Sequence, residues 1–228
     1  MNPRLVRFAL ALVLAFGIAP AFAQTVEDLI DPPAGEWPQL GRDASQTRYS
    51  PLDQIDTTNV DDLAITWARD LGFQQSHQGS PSVWNGIMYV PIQAGVLALD
   101  ATNGNVLWEY FSPNIGDVIT DTAVRGAPVV LDGKVFATLS HGAMVALDAE
   151  TGDELWYAPL TQEERDEGFS TNPIFAGDRI VGAPNGADNG GAPGKIHSVG
   201  LEDGECTEAR LIESEDAVDE GFMLTGTY

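Results

Sequence analysis

The chain has one cysteine, Cys206, so no disulfide can form within it and its stability must come from packing. Cys206 reads as a buried or free thiol without a role. Positive charge is scarce: 11 lysines and arginines face 34 aspartates and glutamates, for a formal net charge of -23. So acidic a surface repels nucleic acid and anionic membranes, and nucleic acid is excluded as a partner. Histidine is scarce too. His77, His141 and His197 are far apart and lack metal-ligand spacing, so they read as surface or strand residues. Ser140-His141-Gly142 has no nucleophile elbow beside it, and no glycine-rich phosphate loop precedes a helix. A single cysteine also rules out a C-x-x-C-H haem attachment.

Long apolar runs are missing except at the start. Arg4 and Arg7 precede an apolar stretch over 8–18, and Ala21-Phe22-Ala23 forms an A-x-A cleavage site before Gln24. The run is short for a membrane span, which takes ~20 residues. Residues 1–23 are therefore expected to be a secretory signal peptide, leaving no transmembrane segment in the mature chain. There is no Arg-Arg pair, so export follows the general route, and no cysteine follows the signal to carry lipid.

What the chain does have is repetition. Ala98-Leu99-Asp100-Ala101-Thr102-Asn103-Gly104-Asn105-Val106-Leu107-Trp108 recurs as Ala146-Leu147-Asp148-Ala149-Glu150-Thr151-Gly152-Asp153-Glu154-Leu155-Trp156, offset by 48 residues. Each copy reads as a strand, an Asp-to-Gly turn and a second strand ending in a large aromatic. That tryptophan is expected to wedge between neighbouring units. Upstream, 79–90 matches 126–137, with Asn85-Gly86 and Asp132-Gly133 as two-residue hairpin turns between apolar runs. A third copy starts at Asn172-Pro173. Hairpin plus hairpin in roughly 45–50 residues is the size of a β-propeller blade. The predicted fold is thus all-β, a partial β-propeller of four-stranded blades. A β-sandwich would explain short strands but not the fixed offset or the repeated tryptophan.

Residues 24–36 are polar and proline-containing, and are expected to form an extended lead-in. The incomplete propeller is placed over 37–210. Its first part is turn-rich and is predicted to lead into a strand at 63–67. It reads Trp37-Pro38, Gly41-Arg42-Asp43, Thr47-Arg48-Tyr49-Ser50-Pro51-Leu52, Gln54-Ile55, Asn59-Val60, Leu63 and Trp67.

That pattern resembles the start of the pyrroloquinoline-quinone (PQQ)-dependent alcohol dehydrogenases, and the Ala-Leu-Asp-Ala-x-x-Gly-x-x-Leu-Trp phrase is similar to their tryptophan-docking motif. The resemblance covers about residues 37–200. It implies a periplasmic propeller of about eight blades, with PQQ on the axis bound to a calcium or lanthanide ion. It also implies a small alcohol as substrate and a possible cytochrome c as electron acceptor.

Position by position, the resemblance puts Gln78 where the family usually has a quinone-contacting Glu, a change that keeps hydrogen bonding but loses charge. Arg125-Gly126 matches the family's Arg-Gly, with Arg125 beside the quinone oxygens. Ser170 matches its Thr, and Thr171 is the alternative if the register slips by one. Asn185-Gly186-Ala187-Asp188 stands for Ser-Gly-Ala-Glu: Asn185, Gly186 and Ala187 would contact the quinone, and Asp188 would ligate the metal. Where typical members carry two adjacent cysteines, this chain has Ile119 and Thr120. No catalytic base is expected in this chain, because the family's Asp lies further downstream.

The third docking phrase is degraded, with Gly200 in place of its Asp and Glu208 in place of its Trp. An acidic segment occupies 211–228. About three blades cannot close a ring, so the chain is expected to be an amino-terminal piece of such an enzyme. The alternative is a non-catalytic propeller of the same superfamily, acting as a binding or assembly module.

Overall fold

Asn85-Gly86 and Asp132-Gly133 both hold two successive residues at positive φ, 52° and 75° in the first turn and 50° and 70° in the second. This is the mirror-image turn whose twist suits paired strands. It joins β1 (Ser82–Trp84) to β2 (Ile87–Ile92), and β5 (Val129–Leu131) to β6 (Lys134–Leu139). The Asp-to-Gly phrases join β3 (Gly95–Asp100) to β4 (Val106–Phe111), and β7 (Ala143–Asp148) to β8 (Glu154–Pro159). The third copy gives β9 (Ile174–Ala176), β10 (Arg179–Gly182), β11 (Lys195–Gly200) and β12 (Cys206–Arg210). The computed structural model describes residues 24–72, 76–113, 124, 126–159, 171–183 and 195–210.

The strands form three antiparallel sheets of four, in each of which neighbouring strands are consecutive in the chain. This is the predicted architecture, three propeller-type modules. The expected signal peptide at 1–23 and the acidic segment 211–228 lie outside the described residues.

The sheets pack face to face, and β7 shows how. Its alternate residues serve opposite faces, as a strand's geometry requires. Ala143, Val145 and Leu147 join Tyr89, Val96 and Trp108 of the first sheet. Met144 and Ala146 join Ile180 and Val199 of the third. A strand covered on both faces reads as a continuous apolar run, which is why Ala143–Leu147 lacks polar alternation. Tyr110 of β4 reaches across to Glu154 of β8, donating its hydroxyl proton to Oε2 at 2.5 Å. Burial pushes that phenol's pKa well up, and the adjacent carboxylate adds to the effect.

The tryptophans are the clamps between sheets. Trp67 Nε1 donates to Ala101 O (3.1 Å), Trp108 Nε1 to Ala149 O (3.0 Å) and Trp156 Nε1 to Leu201 O (2.9 Å). Each indole thus reaches the docking turn of the next module, and its ring lies over that turn's glycine. A Cβ on Gly104, Gly152 or Gly204 would meet Trp67, Trp108 or Trp156 within 3 Å. The degraded third turn still accepts its clamp. Gly204 N donates to Gly200 O, and Asp203 Oδ1 accepts from Glu205 N. Asp203 thereby makes the bond that Asn103 Oδ1 makes with Asn105 N in the first turn.

In the intact turns the Asp organises the backbone. Asp100 accepts from the Thr102 hydroxyl and amide, and from the Asn103 amide group. The Thr102 hydroxyl is the largest influence holding that carboxyl's pKa below its usual range. Asp148 Oδ1 accepts the Glu150 and Thr151 amides at 2.9 and 2.8 Å. We expect Asp148→Ala to cost about 1–2 kcal/mol, because two backbone amides lose their acceptor. Urea unfolding checks this, with the neutral but hydrogen-bonding Asp148→Asn expected to recover most of the loss. The exposed Lys134–Glu202 pair (2.7 Å) also joins the second and third sheets, but a pair with one partner largely in solvent adds little.

Two local expectations need correction. Within the lead-in, Val26–Ile30 forms a short helix, α1, rather than extended chain. A capping box at Thr25 and Asp28 satisfies its first amides, and Leu29 is buried against the second sheet. At 63–67 no strand forms. A three-residue 3-10 turn, Val60–Asp62, precedes it, and Leu63 and Ile65 are 61% and 88% exposed. The apolar pattern there gives no strand, because a strand needs a ladder partner and none pairs with 63–67 among the described residues. Trp67 nonetheless packs on the outer face of the first sheet.

Candidate functional site

The residues before each first strand are stitched together. Gln78, Arg125 and Ser170 all stand three positions before a proline that leads into a first strand: Pro81, Pro128 and Pro173. These approach segments carry no helix or sheet of their own, so their backbone groups must find partners elsewhere. They find them in one another. His77 and Val124 form a parallel bridge. Gln78 N donates to Val124 O and Val124 N to Ser76 O, both at 2.8 Å, and Ser80 N donates to Gly126 O at 3.1 Å. Ser82 Oγ then donates to Pro128 O, tying β1 to the residue preceding β5.

The stitching continues to the third module. Ala127 N donates to Asn172 Oδ1 at 2.6 Å, and Thr138 Oγ1 donates to Thr171 O at 3.3 Å. The described parts of the three approach segments are thus linked in series across adjoining modules.

Close packing fixes this arrangement. A Cβ on Gly79 would lie 2.7 Å from Pro91 Cγ and 2.8 Å from Gly126 O. Gly126 has φ +91°, which other residues rarely adopt. His77 Nε2 hydrogen-bonds Pro91 O at 2.8 Å, so it is a fastening for the approach segment.

The Gln78 side chain is exposed and has one long contact, Nε2 to Ser76 Oγ at 3.4 Å. Its carboxamide thus remains open to a ligand as both donor and acceptor. Thr171, the alternative to Ser170, is already engaged. Its hydroxyl donates to Ala183 O (3.2 Å) and accepts from Ala183 N (2.7 Å), which closes the third module's first hairpin. That structural duty leaves Ser170 as the better candidate.

Arg125, Ser170, Asn185, Gly186, Ala187 and Asp188 lie outside the described residues, as do Ile119 and Thr120. Their described chain neighbours Val124, Gly126, Thr171 and Ala183 belong to the stitched network. No cluster of three or more His, Cys, Asp or Glu able to hold a metal occurs among the described residues. The histidines do not converge. His141 is buried, stacks on Tyr157 and hydrogen-bonds its hydroxyl at 3.2 Å. His197 is buried, with Nδ1 3.7 Å from Sγ of the exposed Cys206.

Asn172 and His77 are site-shaping residues that sequence reasoning passed over. Asn172 sits directly before Pro173, where a turn residue needs no further explanation. Only the neighbouring module reveals that its carboxamide caps Ala127.

Residues 37–127 match the family model described as "Glucose/ethanol/alcohol dehydrogenase, beta-propeller domain". The chain is 34% identical to the dehydrogenase subunit of the quinone-type alcohol dehydrogenase of Gluconobacter oxydans, over 89% of this chain and 29% of that one. Its fold is similar to the crystal structure of quinohemoprotein alcohol dehydrogenase from Comamonas testosteroni, with a TM-score of 0.69 and 30% identity. That likeness covers 80% of this chain and 28% of the other. A europium-containing methanol dehydrogenase aligns with a TM-score of 0.72 and 27% identity, over 84% of this chain and 35% of that one. The chain therefore spans about a third or less of each of these relatives.

Proposed function

This chain belongs to the PQQ-dependent alcohol dehydrogenase family, of which it carries part of the β-propeller, and on that premise we propose that it forms part of a periplasmic dehydrogenase that oxidises a small alcohol. The observation that carries the reading is the serial stitching of the three approach segments, which sets Gln78 beside the backbone flanking Arg125. A rigid backbone there means that polar groups need not reorganise around a bound ligand.

The donor set fits a planar quinone in part. Gln78 has an exposed carboxamide held only by a long bond to Ser76 among the described residues, and Arg125 would bring a fork of donors suited to carboxylates and carbonyl oxygens. Ser170, Asn185, Gly186 and Ala187 would add a hydroxyl, a carboxamide and backbone amides. When bound, PQQ supplies the two-electron oxidation of the alcohol, and the chain's residues bind and orient it. Asp188 would contribute one hard oxygen ligand to calcium or a lanthanide. One carboxylate does not make a metal site, so the remaining ligands would come from elsewhere in a complete propeller. The acidic surface would steer a basic electron acceptor such as a cytochrome c.

A non-catalytic propeller is the second reading. Gln78 in place of Glu, and Ile119 and Thr120 in place of paired cysteines, favour it.

The two readings part on cofactor binding. Titrating the exported protein with PQQ and calcium, followed by tryptophan fluorescence, should show saturable binding. Arg125→Ala should weaken that binding about 10- to 100-fold, the worth of a charge-assisted hydrogen bond. Absence of saturable binding, or an unchanged affinity in Arg125→Ala, would favour the second reading.

A further inference from the structure

We infer that Gln24 is the mature amino terminus and is cyclised to pyroglutamate, which seats the start of the chain between the second and third modules. The inference rests on the secretory reading of residues 1–23, because it needs cleavage after Ala23.

Gln24 lies in a crevice of about 320 Å³, whose walls include Leu131 and Phe136 of the second module and Phe175 and Leu201 of the third. The residue is 3% exposed. Both polar atoms of its side chain, Oε1 and Nε2, are buried without a hydrogen-bond partner among the described residues. An unpaired buried carboxamide is costly, and an α-ammonium placed at the same spot by signal cleavage would be costlier still. The next residue offers no relief. The Thr25 backbone amide and hydroxyl already donate to Asp28, at 2.7 and 2.9 Å, in the capping box of α1.

Ring closure removes the charge and reduces the number of buried polar groups. The α-nitrogen attacks Cδ, so an N–Cδ bond forms while the Cδ–Nε2 bond breaks. Nε2 leaves as ammonia, taking a proton from the α-nitrogen. No electrons are gained or lost, and no co-reactant is needed. The product has no charge and no primary amide. One lactam carbonyl and one N–H remain on a compact, largely apolar ring, which suits the leucine and phenylalanine part of a crevice that Asp132, Lys134 and Glu202 also line.

The test is mass spectrometry of the amino-terminal peptide from full-length protein, expressed with its leader and recovered after export. The expected chain starts at residue 24, weighs one ammonia less than a glutamine-initiated chain and resists stepwise Edman degradation. A chain starting at residue 24 with a free amine and an intact side chain overturns the inference. A chain starting elsewhere overturns the secretory cleavage on which it rests, so the two failures are distinct. Gln24→Ala keeps the A-x-A site but cannot cyclise. It should give a readable amino-terminal sequence and melt at a lower temperature than the parent protein. An unchanged melting temperature would refute the seating role.

Discussion

Replacing Trp108 with alanine should destabilise the protein by about 3–5 kcal/mol, the usual cost of deleting a large buried aromatic. Trp108 is 7% exposed and fills the seam between the first and second modules. Its ring lies 5.8 Å from Tyr89, centroid to centroid, and covers Gly152. The lost hydrogen bond matters less, because Ala149 O also accepts from the Tyr89 hydroxyl at 3.2 Å and keeps a partner. Packing therefore dominates, and Trp108→Phe should recover a large part of the loss although it cannot donate.

Urea unfolding of Trp108→Ala measures the effect, and a double-mutant cycle with Gly152→Ala isolates its origin. Gly152 has φ +77°, and a Cβ there would lie 2.7 Å from the Trp108 ring. Alone, Gly152→Ala should cost about 1–3 kcal/mol from overpacking, with the strained backbone adding about 1–2 kcal/mol. With Trp108 already removed, only the backbone part should remain. If the two losses simply add, the clamp does not exist in solution.

Gly79→Ala should act where Trp108→Ala does not, on the candidate site. Its new Cβ would overlap Pro91 Cγ and Gly126 O. The carbonyl cannot retreat without breaking its bond from Ser80 N. Stability should fall by about 1–3 kcal/mol. Affinity for PQQ should fall at least tenfold, about 1.4 kcal/mol, because the approach segment carrying Gln78 shifts against the one flanking Arg125. Gly35→Ala is the control, since nothing lies within 4 Å of a Cβ there. PQQ affinity in Gly79→Ala equal to that of the control would remove the stitched segments from the account of binding.

The repeats made the fold legible. Asn85-Gly86 and Asp132-Gly133 announce their hairpins because the turn needs two residues at positive φ, and few dipeptides tolerate that. The docking tryptophans were legible for a similar reason, since a large aromatic at a fixed offset has to be buried somewhere. The candidate site was less so. Approach segments such as 76–80 have no periodicity, and their order comes from bonds to residues roughly 45 positions away, as between Ala127 and Asn172. Thr171 shows the consequence. By residue type it was as good a quinone contact as Ser170, and its duty toward Ala183 is visible only once the third hairpin is folded. The strand expected at 63–67 failed for a related reason: an apolar extended segment becomes a strand only where another edge meets it.

Taken alone, the amino-acid sequence determined where the chain turns, that it builds the same four-stranded unit repeatedly, and which aromatic closes each of the first two units. Those are local matters of backbone freedom and side-chain size, repeated at a constant spacing. Tertiary structure decided which turn each tryptophan covers, that the third turn still receives Trp156 although Gly200 replaces its Asp, and that the segments before the first strands are bonded in series. Hydrogen bonds and van der Waals contacts act over a few ångströms, so partners far apart along the chain are settled only when folding brings them together.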